Sequence, residues 1–239
     1  MAGTLLLIPN LLDEESAPAD VLPQAVFRAI SCLDGVIAED AKCARAFLAR
    51  FSERKPFSEL PIAILNEHTP ERELEALLAP IAAGGMWGLI SDAGVPVIAD
   101  PGYALIARAH EQGITVQPLV GPCSLVLALM MSGLPAQRFR FCGYLPRKPE
   151  ERKREITLME EDARRHGATQ LCIEAPYRNE ALLQDLVATL RPETKLAVCW
   201  GITSPKQGVR VQQVKQWRKE PLPTLKQLPA VFLFSVGAR

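Results

Sequence analysis

Four carboxylates stand directly after short apolar runs in this sequence. Glu39 and Asp40 follow G-V-I-A, and Asp92 and Asp100 lie within S-D-A-G-V-P-V-I-A-D-P-G, which follows G-L-I. A carboxylate at the end of a strand can orient a nucleophile or accept its proton. Asp92 and Asp100 can also accept hydrogen bonds from an amine or from ribose hydroxyls. Around them Gly94 and Gly102 let a ligand approach bare backbone, and Pro96 and Pro101 stiffen the path. Val95, Val97 and Ile98 offer apolar surface for a flat ring. A plainer reading stays open at each point. Asp100 caps a helix starting at Tyr103, and the Glu39-Asp40 pair caps one starting at Ala41. His68, in N-E-H after a third apolar run, carries an imidazole suited to general-base work or is an ordinary loop histidine.

Cations concentrate between residues 138 and 154. Arg138, Arg140, Arg147, Lys148, Arg152, Lys153 and Arg154 face only Glu150 and Glu151 there, a surplus of five. Such a patch could guide a phosphate backbone. For residues 152–154 a solvated helix face is the better reading, whereas Arg147 and Lys148 follow Gly143-Tyr144 at a strand end. Arg178, after Pro176-Tyr177, is the other candidate anion contact. Three Trp, three Tyr and eight Phe are too few and too scattered for a platform that stacks single strands. Cys123, in G-P-C-S, has no histidine near it in sequence and precedes an apolar stretch, which favours a small buried thiol over a nucleophile.

Neither G-x-G-x-x-G nor G-x-x-x-x-G-K follows any candidate strand, so the dinucleotide and phosphate-loop readings fail. A stretch with few cationic donors suits a ligand without phosphates. S-adenosylmethionine is one, with its cationic sulfonium, amino-acid end and adenosine. The six cysteines include no C-x-x-C pair, so no metal site or disulfide framework is expected and a cytoplasmic setting fits. Lys+Arg and Asp+Glu are both 27, which argues against a protein living on non-specific phosphate contacts. No apolar run reaches the ~18 residues of a membrane span. The N-terminal M-A-G-T-L-L-L-I lacks a basic region and runs into acids, so a first strand is expected there rather than a signal peptide.

The elements that must position these groups follow from periodicity. With 239 residues, 48% apolar and 23% charged, the chain has material for one large domain or two ordinary ones. Apolar runs at 4–8, 35–38, 61–65, 86–90 and 114–119 read as strands. Helical spacing at 20–33, 41–51, 70–83 (bending at Pro80) and 103–112 alternates with them, which predicts a mostly parallel α/β sheet. Beyond Gly121, residues 124–131 are apolar nearly all round, as in a buried helix. Strands are expected at 138–144, 169–173, 195–200, 209–214 and 230–236, with helices at 149–166 and 180–190 and a helical piece near Gln216. The Pro- and Gly-broken segment 118–122 marks the boundary. The expectation is an α/β domain over 1–118 and an α+β domain with a mixed sheet over 119–239.

The blocks L-I-S-D-A-G-V-P-V-I-A-D-P-G-Y, V-G-P-C-S, R-F-C-G-Y-L-P-R-K and I-E-A-P-Y-R, in this order and spacing, resemble the tetrapyrrole-methylase superfamily. Within it the chain is most similar to the RsmI-type ribosomal RNA (cytidine-2′-O-)methyltransferases, over nearly its whole length. The resemblance implies two α/β domains with S-adenosylmethionine in the cleft between them, a homodimer, and an RNA acceptor. It also implies that Ser91, Asp92, Ala93 and Gly94 line the cofactor and that Val97 and Ile98 hold it through backbone groups. Gly121, Cys123 and Ser124 would close its second side, Ala175 would touch the adenosine, and Ala230 would lie near the adenine. For a 2′-hydroxyl acceptor, Glu39, Asp40 or His68 is available as base, with Arg147, Lys148 and Arg178 as substrate contacts. The sequence departs from the family in several places. The first loop, P-x-P-x-G-N in relatives, reads I-P-N-L-L-D-E-E-S, with Asp13, Glu14 and Glu15. A-E-D-T-R becomes A-E-D-A-K, G-E before the last strand becomes Leu228-Pro229, and the C-terminal extension of the ribosomal enzymes is not seen. These departures keep a small-molecule or tetrapyrrole methyltransferase and a non-catalytic S-adenosylmethionine-binding protein as alternatives.

Overall fold

The computed structural model describes residues 3–51 and 59–237, which divide into two compact units on either side of the junction between Cys123 and Ser124.

In the first unit, β1 (Thr4–Ile8), β2 (Gly35–Ala38), β3 (Ile62–Ile64), β4 (Met86–Ile90) and β5 (Thr115–Pro118) form one sheet in the order β3-β2-β4-β1-β5. Every pairing in it is parallel. A parallel sheet is covered on both faces, which is why the inner strands β1, β2 and β4 read as near-continuous apolar runs, whereas the edge strand β5 (T-V-Q-P) is largely exposed. Successive residues of β1 alternate between two cores. Leu6 and Ile8 pack with Val26, Ile30, Phe47 and Leu48. Leu5 packs on the other face with Leu78, Ile81, Leu105 and Ala109. The helices divide accordingly: α1 (Pro18–Val21), α2 (Gln24–Ile30) and α3 (Ala41–Leu48) come before β3, and α4 (Leu74–Ala82) and α5 (Tyr103–Glu111) after it.

The helix expected over 20–33 is two helices, α1 and α2, separated at Leu22 and Pro23. Leu22 is extended (ψ 134°), as the residue before a proline must be, and Pro23 then opens α2. The helix expected from 70 begins with a 3-10 turn, Glu71–Glu73, and α4 runs through Pro80 to Ala82. α5 stops before Gly113, whose φ of +69° takes the left-handed conformation that ends a helix.

In the second unit, β6 (Phe139–Tyr144), β7 (Thr169–Ile173), β8 (Lys195–Trp200), β9 (Gly208–Gln213) and β10 (Ala230–Ser235) form a mixed sheet ordered β6-β7-β10-β8-β9. Only β6 and β7 pair in parallel. The helices are α6 (Ser124–Ser132), α7 (Pro149–His166), α8 (Asn179–Thr189) and the short α9 (Val214–Trp217). α7 carries its stop and start signals in full. Pro149 opens it, Glu150 and Glu151 sit in its first turn, Arg164, Arg165 and His166 in its last, and Gly167 (φ +62°) ends it. α6 buries Leu125, Ala128 and Leu129 but exposes Val126 and Met130, so it is not enclosed all round.

Arg152 corrects the expectation of a solvated helix face. It is 7% exposed and pairs with Asp185 of α8, and it also donates to the carbonyls of Pro146 (3.3 Å) and Arg147 (3.0 Å). Its neighbour Lys153 does face solvent, in an i,i+3 pair with Glu150.

Candidate functional site

In a parallel sheet every strand delivers its carboxyl end to the same edge, where open α/β folds bind ligands. The first unit brings Asn10 after β1, Glu39 and Asp40 after β2, Asn66 to His68 after β3, residues 91–102 after β4, and Gly121 after β5 to that edge.

Three of these loops are locked together. The backbone N–H of Asn10 donates to Gly94 O (2.7 Å), and Gly94 N–H returns a bond to Leu11 O (3.2 Å). The Asn10 side chain donates to Ser91 O (2.9 Å) and Asp92 O (3.0 Å). Gly94 has φ +71°, and a Cβ there would lie 2.9 Å from Leu12 and 3.3 Å from Pro122 O. A Cβ on Gly121 would overlap Pro9 at 2.1 Å. These two glycines serve loop-to-loop packing before any ligand is considered. Beyond them Val97 (φ +76°) and Ala99 (φ +71°) hold left-handed conformations that side-chain-bearing residues avoid, and Ile98 between them is half exposed. Residues kept in such conformations by their surroundings cluster at ligand clamps.

The edge is strongly acidic. Burial, then the charges of Asp100 and Asp92, push the Glu39 carboxyl up to about 7, with the backbone N–H of Asp92 pulling the other way. Burial and Asp92 push Asp100 up to about 6, and burial and Asp40 raise Asp92. Asp40 differs: it is exposed, accepts from Cys43 N–H (2.7 Å) as the N-cap of α3, and is lowered by that bond. His68 stands on an exposed turn with Glu67 at 3.5 Å. Of the three groups read as bases, Glu39 is the half-buried one facing the loop after β4. A groove of about 550 Å³ opens beside this edge, lined by Leu65, Asn66, Glu67, Pro101, Gly102 and the exposed Tyr103. Its one lining cation, Arg108, is engaged by Glu71, Glu75 and Glu111. The bare backbone and carboxylates of the edge fit a cationic, phosphate-free ligand such as S-adenosylmethionine.

The second unit collects its own candidates at one sheet edge. Tyr144 pairs with Ile173, Val231 with Ile173 and Ala230 with Trp200, so the ends of β6 and β7 and the start of β10 lie together. Arg147 and Lys148 follow β6 and are exposed, Lys148 in an i,i+3 pair with Glu151 at 3.0 Å. Ala175 is half-buried after β7, and Ala230 is buried at the start of β10. Arg178 is turned back onto the buried Glu174 and stacks beside Tyr177, so its charge is largely neutralised within the chain. Ser124 begins α6, directly after the half-buried Cys123. Among the described residues, no group of three His, Cys, Asp or Glu side chains is arranged to hold a metal ion. No described helix is long and apolar enough to cross a membrane.

Sequence reasoning assigned no part to Asn10. The signal available was a single polar residue that follows an apolar strand and a proline.

Comparison with known proteins defines the class. The family described as Tetrapyrrole (Corrin/Porphyrin) Methylases matches residues 18–217, and this chain belongs to it. It is therefore a methyltransferase, of a family that uses S-adenosylmethionine as methyl donor. Among individual proteins, it is 31% identical over 221 residues to Ribosomal RNA small subunit methyltransferase I of Escherichia coli O157:H7, covering 91% of this chain and 73% of that protein. It is 34% identical to the protein of the same name from Mycobacterium tuberculosis, covering 87% and 69%. With that from Xylella fastidiosa it shares 37% identity over 68% of this chain, and the match spans only 56% of that relative. The methyltransferase CobJ has a similar fold, with a TM-score of 0.64 at 16% identity over 98% of this chain and 94% of that one. The uroporphyrin-III-C-methyltransferase of Thermus thermophilus gives 0.55 at 19%, covering 98% and 93%.

Proposed function

We propose that this chain transfers the methyl group of S-adenosylmethionine to a ribose 2′-hydroxyl of a cytidine in ribosomal RNA, in the cytoplasm and as a homodimer. The observation that carries the reading is one sheet edge that holds both a glycine-bearing, strained loop and a half-buried carboxyl with a pKa of about 7. The RNA acceptor is drawn from relatives named as ribosomal RNA small subunit methyltransferases.

In this reading Ser91, Asp92, Ala93 and Gly94 line the cofactor, Val97 and Ile98 offer backbone groups, and Asp100 accepts from its amine or hydroxyls. Gly121, Cys123, Ser124, Ala175 and Ala230 are further cofactor contacts. Methyl transfer from a sulfonium needs no covalent intermediate, so alignment and exclusion of water supply much of the rate. Glu39 accepts the hydroxyl proton, for which a carboxyl near neutrality is suited. Asp40 orients through α3, and His68 is kept as the alternative base. Arg147 and Lys148 meet the phosphate backbone, with Arg178 held in reserve by Glu174.

A smaller, less anionic acceptor is the second reading. It is favoured by the carboxylates of the edge and by a groove whose one lining cation is already paired. Calorimetry with S-adenosylmethionine, followed by labelled methyl transfer to total RNA from a strain lacking the enzyme, separates the readings. Cofactor binding without RNA labelling sinks the RNA acceptor, and no cofactor binding sinks both. Light scattering at the mass of a monomer would remove the dimer.

A further inference from the structure

The sequence holds three tyrosines, and the fold leaves all of them largely in water: Tyr103 is 79% exposed, Tyr144 58% and Tyr177 77%. A single exposed ring asks for no explanation, but two beside a group of cations do. Tyr144 ends β6, and Tyr177 lies in the 3-10 turn Pro176–Arg178 that follows β7. β6 and β7 are neighbours in the sheet, with Tyr144 opposite Ile173, so aromatics that look scattered in the sequence meet at one edge. Neighbouring strands run about 5 Å apart, which puts both rings within the span of a few nucleotides.

Each ring is held in place. The register of β6 shifts between Phe141 and Tyr144, where Gly143 takes φ +67°, and such a bulge re-aims the side chain beside it. The turn carrying Tyr177 is closed by Arg178 N–H, which donates to Ala175 O (2.8 Å), and the Arg178 guanidinium grips the buried Glu174. Trp200 pairs with both Ala230 and Gly208, and Gly201 N–H donates to Pro229 O (2.9 Å), so the turn after β8 and the approach to β10 share this edge. Its segments 145–148, 174–178, 201–207 and 226–229 carry Arg147, Lys148, Arg178, Lys206 and Lys226. Their one carboxylate is Glu174, buried against Arg178. Glu150 and Glu151 come next, in the first turn of α7, the latter paired with Lys148.

We propose that Tyr144 and Tyr177 stack unpaired bases of the RNA acceptor, with Arg147 and Lys148 on the adjoining phosphates. This role rests on the reading of RNA as acceptor and says in what form the RNA is taken: as a strand whose bases are splayed out. A duplex keeps its bases stacked on one another and offers the rings no face. Stacking accepts any base, so the two rings select an open strand and leave its sequence to other contacts. Because both rings are fixed before the strand arrives, little ordering cost falls on binding.

The test is fluorescence anisotropy of the full chain with a labelled single-stranded RNA octamer of mixed sequence, and with the same octamer as a duplex. The single strand is expected to bind more tightly. Tyr144→Ala and Tyr177→Ala should each weaken its binding by about five-fold or more, and Tyr144→Phe and Tyr177→Phe, which keep the ring, should restore it. The loss on removing a ring should persist as salt rises, whereas the loss in Arg147→Ala should shrink. Both tyrosines are exposed, so the alanine variants are expected to melt with the parent. A parent that binds the octamer while its alanine variants bind equally well overturns the stacking role and leaves the RNA acceptor standing. A parent that binds no RNA sinks both. Binding of the duplex as tight as that of the single strand overturns the unpaired form. A calorimetric loss of S-adenosylmethionine affinity in the alanine variants would assign the rings to the adenine of the cofactor, and overturns the proposal as well.

Discussion

Among the described carboxylates of the first unit, Glu39 is shifted to the highest pKa, and its stability signature has a definite sign. Its pKa is raised from 4.5 to about 7 by burial and by Asp100 and Asp92, so the folded state prefers the protonated form. The penalty for ionising it is absent below pH 4.5 and grows to full size as pH rises through 7. Glu39→Gln, which keeps the shape of the protonated carboxyl, should therefore leave stability unchanged near pH 4. At pH 8 it should raise stability by about 1 kcal/mol, after allowance for solvent screening of a half-exposed group. Denaturant melts at the two pH values check this; an equal difference at both would remove the charge cluster as its cause. Such a load at a sheet edge has no structural benefit in itself, which fits a site that meets a cation.

At the scale of elements, the loop after β4 and the start of α7 make separate claims. Ala99 is exposed at φ +71°, a conformation that is unfavourable for alanine by about 1–2 kcal/mol and easy for glycine. Ala99→Gly should stabilise the protein by up to about 1 kcal/mol, since glycine gives back part of the gain as chain entropy. A destabilised variant would mean that the alanine methyl is packed against something. Gly94 cannot be tested as simply. Its positive φ and the nearness of Leu12 mean that Gly94→Val disturbs the loop before it touches a ligand. In the second unit, Arg152→Ala leaves the largely enclosed Asp185 without its partner and frees the loop that presents Arg147 and Lys148. A loss of about 3 kcal/mol in thermal or chemical unfolding is expected, far above what a surface arginine would show. The charge pattern of residues 150–154 reads as a solvated face, because the partner of Arg152 lies 33 residues away on α8 and leaves no local trace.

At the scale of the molecule, the acceptor is decided by the field that the protein presents. In the acidic first loop, Asp13 is a turn former: its carboxylate accepts from the N–H groups of Glu15 (2.9 Å) and Ser16 (2.8 Å) and from the Ser16 hydroxyl (2.6 Å). Glu14 and Glu15 are exposed. If this loop faces the acceptor, changing both to Gln while leaving Asp13 should raise RNA affinity at low salt several-fold. The gain should shrink as salt screens it, with cofactor affinity unchanged. Filter binding at two salt concentrations measures this, and an unchanged RNA affinity would place the loop away from the acceptor.

The order of strands and helices was legible in the sequence because the inner strands β1, β2 and β4 of the first sheet are buried on both faces and the helices on one. Periodicity and Pro/Gly punctuation report that burial directly. The ends of α7 were legible for a related reason, since Pro149, the charges of its first and last turns and Gly167 are all local signals. The carboxyl edge of the first sheet was legible once the strands were taken as parallel, which groups Glu39 and Asp40 with Asp92 and Asp100; Gly121 was marked only by the family resemblance. What only the tertiary structure decided is which of these residues hold one another. The strand order β3-β2-β4-β1-β5 sets Asn10 and Glu39 on either side of the loop after β4. It makes Gly121 a seat for Pro9 and Asp40 a helix cap, and it leaves Glu39 as the half-buried carboxyl among neighbours of its own sign. In the second unit the turn after β7 likewise folds Arg178 back onto Glu174. Each of these outcomes depends on distance in space between groups far apart in the chain or on the course of a turn, and residue type and spacing carry neither.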